Sequence, residues 1–296
     1  MTRGVIEPIS LGSWPTPVER APRLAELLGF ADLWIKRDDL CGLGGGGNKV
    51  RKLEYTCAQA LAAGADTVIT SGGPQSNHAR LTAAAAARLG LRCVLVLAGS
   101  PQPARGNLLL DELAGARVVW AGDRPLNDAV ARAAGDAFVI PFGGSSPVSI
   151  EGYAACGREL RAQVPGFDAV VVALGSGGTM AGLVRELGPD RVVGVDTGAV
   201  PDPHATVYGL LRGEVAPTDL RIDGDQVGAG YASLTDAVRS ALALAARTEG
   251  IFLDPTYTGR AMASLIARRH GERVVFLHTG GLPGLFGHPD LPTDVC

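Results

Sequence analysis

Short β-branched runs alternate with alanine- and leucine-rich helical stretches along almost all of this 296-residue chain, and no other feature limits its fold as much. Strands are expected at 32–35, 67–70, 93–97, 117–120, 137–140, 169–173, 192–195 and 274–277. Helical patterns lie between them, at 50–62, 77–89, 107–113, 150–162, 179–187, 234–247 and 259–269. Strands that are apolar on both faces and separated by helices imply parallel sheets with helices on either side. The chain is therefore read as an α/β protein, in which ligands bind beyond the carboxyl ends of the strands. The stretch 196–230, with Pro201, Asp202, Pro203, Pro217, Asp223 and Asp225, is read as a loop-rich connection with one short helical pattern at 205–211.

Charge and cysteine usage narrow the function classes. A net charge of -3 without a polybasic run argues against a nucleic-acid or membrane-surface binder. The opening MTRGVIEPIS has no apolar core of a secretory signal, and no apolar stretch reaches the ~18 residues of a spanning helix. Cys41, Cys57, Cys93, Cys156 and Cys296 are scattered and form no C-x-x-C pair. Neither a metal site nor a disulfide framework is expected, and the bland reading is incidental thiols in a reducing cytoplasm.

Lysine usage is more informative. Only Lys36, Lys49 and Lys52 occur among 27 basic residues, which leaves 24 arginines. Arginine stays protonated, whereas a lysine with a lowered pKa is a neutral amine nucleophile. Lysines confined to 36–52 invite a chemical explanation, with chance clustering under a GC-rich coding bias as the alternative.

Four segments carry chemistry. In the first, four glycines precede Asn48-Lys49-Val50. Asn48 is expected to cap the helix, which puts Lys49 in its first turn, where the dipole disfavours a cation and the amine suits imine formation with an aldehyde. Arg51 and Lys52 are expected on the solvated side. The alternative is a phosphate loop with a charge-pairing lysine, but Asn48 and Val50 do not fit G-x-x-x-x-G-K-[ST]. The second segment is Gln75-Ser76-Asn77-His78 at a helix start, either a carboxylate site or ordinary capping by Ser76. His78 is read as a polar helix residue in preference to a general base. The third, Gly175-Ser176-Gly177-Gly178-Thr179, joins an apolar strand to a helix and makes an anion cradle suited to a phosphate monoester. In the fourth, Tyr257 precedes a helix and either moves a proton or anchors through its hydroxyl, while Thr279 ends the last strand.

Together these segments make the chain resemble the family of 1-aminocyclopropane-1-carboxylate deaminases and D-cysteine desulfhydrases. The resemblance runs from Trp34-Ile35-Lys36-Arg37-Asp38-Asp39-Leu40 to Thr279-Gly280-Gly281-Leu282-Pro283-Gly284-Leu285-Phe286. It implies the tryptophan-synthase β-like fold (fold type II), with two three-layer α/β/α domains of mostly parallel sheets. Residues 1–50 with 152–296 would form a large cofactor-binding domain, and 51–151 a smaller substrate-side domain. It also implies pyridoxal 5'-phosphate held on Lys49 beside Asn48, with Asn77 on its phenolic oxygen and Gly175, Ser176, Gly177, Gly178 and Thr179 on its phosphate. Ser76, with Asn77 and His78, would sit against the substrate, and Tyr257 and Tyr231 would line the reaction side. A homodimer is implied as well.

The resemblance further implies a glutamate in the deaminases where this chain has Thr258, and an apolar residue where it has Thr279. A carboxylate at the pyridine nitrogen would keep it protonated; a neutral hydroxyl makes a weaker electron sink that suffices for β-elimination. The implied activity is α,β-elimination from a D-cysteine-type substrate to pyruvate, ammonia and sulfide. A β-replacement or larger C–S lyase reaction, cyclopropane deamination, and a phosphate- or nucleotide-binding protein without catalysis are the alternatives. Two departures bear on the substrate: the shorter 196–230 segment, and Thr256 in place of the usual valine.

Overall fold

The computed structural model describes residues 6–231 and 233–290. Their strands are β1 (Val18–Arg20), β2 (Asp32–Arg37), β3 (Thr67–Gly72), β4 (Arg92–Leu97), β5 (Arg117–Trp120), β6 (Phe138–Val139), β7 (Ala169–Leu174), β8 (Val192–Asp196), β9 (Arg221–Asp223) and β10 (Arg273–His278). One sheet runs β1-β2-β10-β7-β8-β9, and only its β1–β2 pair is antiparallel. The other runs β5-β4-β3-β6 and is parallel throughout.

Period-two alternation builds two layers of core on each sheet. In β7, Val171 and Ala173 pack toward the helices Pro22–Leu28, Asp236–Glu249 and Thr258–Ala267. Val170, Val172 and Leu174 pack on the opposite side, against Glu151–Gln163 and Gly178–Leu187. Fully burying such a valine contributes about 1.5–3 kcal/mol relative to leaving it in water. The smaller sheet repeats the scheme: Val68, Leu95 and Leu97 face Leu53, Cys57 and Leu81, and Ile69, Val94 and Val96 face Ala129 and Val130. Both sheets are thus the middle layer of an α/β/α sandwich, as expected.

Some elements differ from expectation. The 196–230 stretch is more ordered than a loop: it holds the helix Pro203–Leu210 and β9, which pairs with β8 through Val193 and Arg221. The strands β1 and β9 and the helices Pro22–Leu28, Leu126–Ala133 and Leu282–Gly287 were not anticipated, all being eight residues or shorter. Cys41, Cys57, Cys93 and Cys156 are free, buried thiols, while Cys296 lies outside the described residues. Among the described residues no helix is long and apolar enough to cross a membrane.

Candidate active site

The parallel strands deliver their following loops to one region. β10 leads into Thr279, β7 leads into Gly175–Gly177, and the loop after β3 opens the helix at Asn77. Lys49, Asn48, Asn77, Gly175, Ser176, Gly177, Thr179, Tyr257 and Thr279 all line one slot.

The glycine run places the lysine. Gly44 to Gly47 all have left-handed φ, and a Cβ on Gly46 would sit 1.8 Å from the Asp39 carbonyl oxygen, so no other residue fits there. The Asn48 N–H donates to Thr279 O at 3.0 Å, tying the helix start to the end of β10. Asn48 itself has helical dihedrals and makes no capping bond, contrary to expectation. Its Nδ2 instead donates to Thr179 Oγ1 at 2.9 Å, so the lysine-bearing helix is fastened to the glycine turn after β7.

Lys49 is buried, and among the described residues it has no carboxylate partner. Burial lowers its pKa from 10.5 to about 8. The unfolded chain keeps that proton up to about 10.5, so from about 8 to 10.5 this group binds more protons in the unfolded than in the folded chain, and the contribution of Lys49 to stability rises with pH across that window. The buried thiols of Cys41, Cys57 and Cys93, with pKa values raised from 9 to about 12, act in the opposite direction above pH 9. The contribution of Lys49 is therefore read as the difference in melting temperature between cofactor-free wild type and Lys49→Met, which should shift in favour of wild type from pH 8 to 10.5. An unchanged slope in Lys49→Met would contradict the assignment.

The other two basic neighbours are not solvated, which corrects the expectation. The Arg51 guanidinium donates to Asp38 (2.8 and 3.0 Å) and Glu159 (2.8 and 2.8 Å) and lies 3.9 Å above the Trp14 ring. Lys36 is similarly consumed, by Glu159, Gln163 and the Thr16 carbonyl. Among the described residues Lys52 has no carboxylate partner: its Nζ lies 3.0 Å from Ser145 Oγ and 3.5 Å from Ser176 Oγ. Burial, and then the Lys49 charge, push its pKa well down. Lys52 and Ser145 were both missed in the sequence. The glycine–serine run after β6 was the available signal, because it repeats the strand-to-glycine-turn pattern seen after β7.

That turn is built for an anion. Gly177 has φ 79° and opens the helix Gly178–Leu187, and a Cβ on Gly178 would fall 2.4 Å from Ser145 Oγ. Ser145 and Ser176 hydroxyls meet at 2.8 Å beside Lys52. Unpaired helix N–H groups, two hydroxyls and a buried amine thus converge.

Ser76 caps the helix Asn77–Leu89, its Oγ accepting the Ala79 N–H at 3.1 Å. His78 is turned away from the slot. The Thr70 hydroxyl donates to Ile140 O at 2.9 Å and lies 2.9 Å from His78 Nε2, which ties the imidazole to the end of β6. Burial and the two lysines depress its pKa well below the usual value. It is a structural histidine.

At the slot mouth the Tyr231 and Tyr257 hydroxyls lie 2.5 Å apart. Burial raises both phenol pKa values, so both stay protonated at neutral pH. Arg260, buried one turn into the helix Thr258–Ala267, holds the Tyr231 loop by donating to the carbonyls of Thr197, Gly230, Tyr231 and Ser233. Thr258 lies behind the slot wall: its hydroxyl donates to Asp254 Oδ1 at 2.7 Å and accepts the Asp254 N–H at 2.8 Å. Thr279 does line the slot, and among the described residues its hydroxyl has no hydrogen-bond partner.

A neutralisable amine at one side of a slot and an anion turn at the other define an enzyme that binds a phosphorylated aldehyde. The family described as pyridoxal-phosphate dependent enzyme matches residues 9–280, and the chain belongs to it. The D-cysteine desulfhydrase of Salmonella schwarzengrund (strain CVM19633) is 41% identical over 310 residues, covering 93% of this chain and 94% of that protein. A solved structure described as an ACC deaminase homologue is 36% identical with a TM-score of 0.88, over 96% of this chain and 94% of its own. A pyridoxal 5'-phosphate-dependent aspartate racemase, at 18% identity and a TM-score of 0.67 over 90% of each chain, shares the fold. Pyridoxal phosphate is the cofactor, and the residues fit it.

Proposed function

We propose that this chain is a lyase that eliminates the β-substituent of a small amino acid, with D-cysteine as the leading substrate and pyruvate, ammonia and sulfide as products. The observation that carries this reading is the neutral hydroxyl of Thr279 on the slot wall, with Asp254 held behind it by Thr258 and three backbone N–H groups. Among the described residues no side-chain carboxylate lines the slot to keep a ring nitrogen protonated. The desulfhydrase name of the Salmonella relative points the same way.

Bound at Lys49, the cofactor supplies an electron sink for the pair left at Cα when its proton is removed. Lys49 Nζ would take that proton. Lys52, Ser176 and the Gly175–Thr179 turn hold the phosphate, and Asn48, through Thr179, keeps that turn in register with Lys49. Ser76 and the N–H groups opening its helix receive the substrate carboxylate, with His78 supporting that helix from behind. The Tyr231–Tyr257 pair would hydrogen-bond the departing thiolate.

A second reading has its own support. The entrance beyond Tyr257 is a chamber of about 400 Å³ lined by Pro74, Gln102, Arg105 and Pro289, more room than a thiol needs. It suits β-replacement or cleavage of a larger C–S conjugate. A panel of D- and L-β-substituted amino acids, with 1-aminocyclopropane-1-carboxylate included, separates the readings by keto acid and leaving group. D-Cysteine should give pyruvate and sulfide fastest. Faster release of 2-oxobutyrate from the cyclopropane substrate would overturn the proposal.

The strands of the six-stranded sheet come from 18–37 and 169–278, those of the four-stranded sheet from 67–139. That supports a large domain of 1–50 with 152–296 and a small one of 51–151. A cytoplasmic homodimer completes the reading, and Leu109, Leu113, Leu282 and Phe286 are the exposed apolar side chains on two contacting helices that could join copies.

A further inference from the structure

We propose that Asn107 is a positioning residue that fixes which end of the Asn77 carboxamide faces the cofactor slot. The inference rests on the reading of Asn77 as a cofactor contact. Asn107 is fully buried in the helix Gly106–Leu113, outside the slot lining. Its Nδ2 donates to Gln75 O at 2.9 Å and to Asn77 Oδ1 at 2.9 Å, while its backbone N–H donates to Gln75 Oε1 at 2.9 Å. Gln75 Nε2 donates in turn to Arg105 O at 3.0 Å.

The polarity of this chain of amides has one solution. Gln75 O is a backbone carbonyl and accepts only, so the Asn107 atom facing it must be nitrogen. That nitrogen has two protons, and the second goes to Asn77, so the Asn77 atom receiving it must be oxygen. Asn77 Nδ2 is thereby turned the other way, toward Gly281, where an added Cβ would lie 3.0 Å from it. The slot is offered a donor. A deprotonated ring hydroxyl is an acceptor, so this polarity attracts it and the reverse would repel it. The neighbouring Gln75 amide cannot swap either, because a backbone N–H and a backbone carbonyl hold its two ends. Gly106, with φ 52°, lets the helix approach: a Cβ there would fall 2.5 Å from Gln75 Oε1.

Asn107→Asp tests this with almost no change in size. The introduced carboxyl, kept protonated by burial, spends its one proton on the Gln75 carbonyl and can only accept from Asn77, which must turn Nδ2 to it and Oδ1 to the slot. Cofactor-free protein is titrated with pyridoxal phosphate and followed by the visible absorbance of the lysine-bound cofactor, with thermal melts confirming the fold. Asn77→Ala should weaken binding by roughly tenfold or more, the loss of one hydrogen bond to a charged group. Asn107→Asp should weaken it at least as much, and should add no more than about twofold in the Asn77→Ala background, since positions acting through one another are non-additive. Asn107→Ala, which frees Asn77 to rotate, should lose less than Asn107→Asp. Wild-type affinity in Asn107→Asp, or its full loss repeated on top of Asn77→Ala, would overturn the proposal. Wild-type affinity in Asn77→Ala would instead remove the reading of Asn77 on which it stands.

Discussion

Lys49→Ala is expected to abolish the visible absorbance of bound pyridoxal phosphate and to lower turnover by about 10⁴-fold, the upper range for removing a positioned acid–base group. The same nitrogen both captures the cofactor aldehyde and takes the Cα proton, so one substitution removes two functions. No neighbour can stand in for it. Lys36 is held by Glu159 and Gln163, and Lys52 is held at Ser145 and Ser176. Folding should survive, because Lys49 is a buried amine without a carboxylate partner and its charge is penalised by burial. Loss of activity with a melting temperature near neutral pH no lower than that of the cofactor-free wild type is the expected pair of results. A variant that keeps wild-type turnover would contradict the mechanism.

Lys52→Met should be the next most damaging change, and it acts on affinity. An amine buried between two serine hydroxyls at the anion turn regains its charge when a phosphate arrives, and the pair is then shielded from water. Removing one member of such a buried pair typically costs about 2–5 kcal/mol, or roughly 30-fold to several thousand-fold in cofactor affinity. Titration of cofactor-free protein with pyridoxal phosphate measures it. Binding within about twofold of wild type would mean that the phosphate is held without Lys52.

These two lysines show where sequence patterns carry and where they stop. The strand Arg117–Trp120 and the helix Asn77–Leu89 were read with their observed bounds, because apolar runs and helix caps are local signals. Lys49 was legible for the same reason: four glycines and a helix start lie next to it in the chain. Lys52 and Arg51 were misassigned to solvent because their partners lie far away in sequence. Arg51 meets Asp38 and Glu159, and Lys52 meets serines 93 and 124 positions on. Charge predicts exposure only until a distant segment supplies a partner. Asn107 was invisible for a related reason, since its importance lies in bonds to Gln75 and Asn77, 32 and 30 positions away. The strands β1 and β9 have three residues each and show too little alternation to register.

Thr258 and Thr279 are the subtler case. The sequence singles out both as neutral groups where related deaminases are implied to differ, but not which one meets the slot. Only the bonds from Thr258 to Asp254 assign that hydroxyl elsewhere, while the Thr279 hydroxyl has no hydrogen-bond partner among the described residues.

The most direct measurement is borohydride reduction of the holoenzyme, which fixes an imine as a stable secondary amine, followed by peptide mass spectrometry. Since the chain has only three lysines, the outcome is unambiguous. The pyridoxyl-phosphate mass should appear on Lys49 alone. Its appearance on Lys36 or Lys52 instead, or on no lysine, would contradict the account.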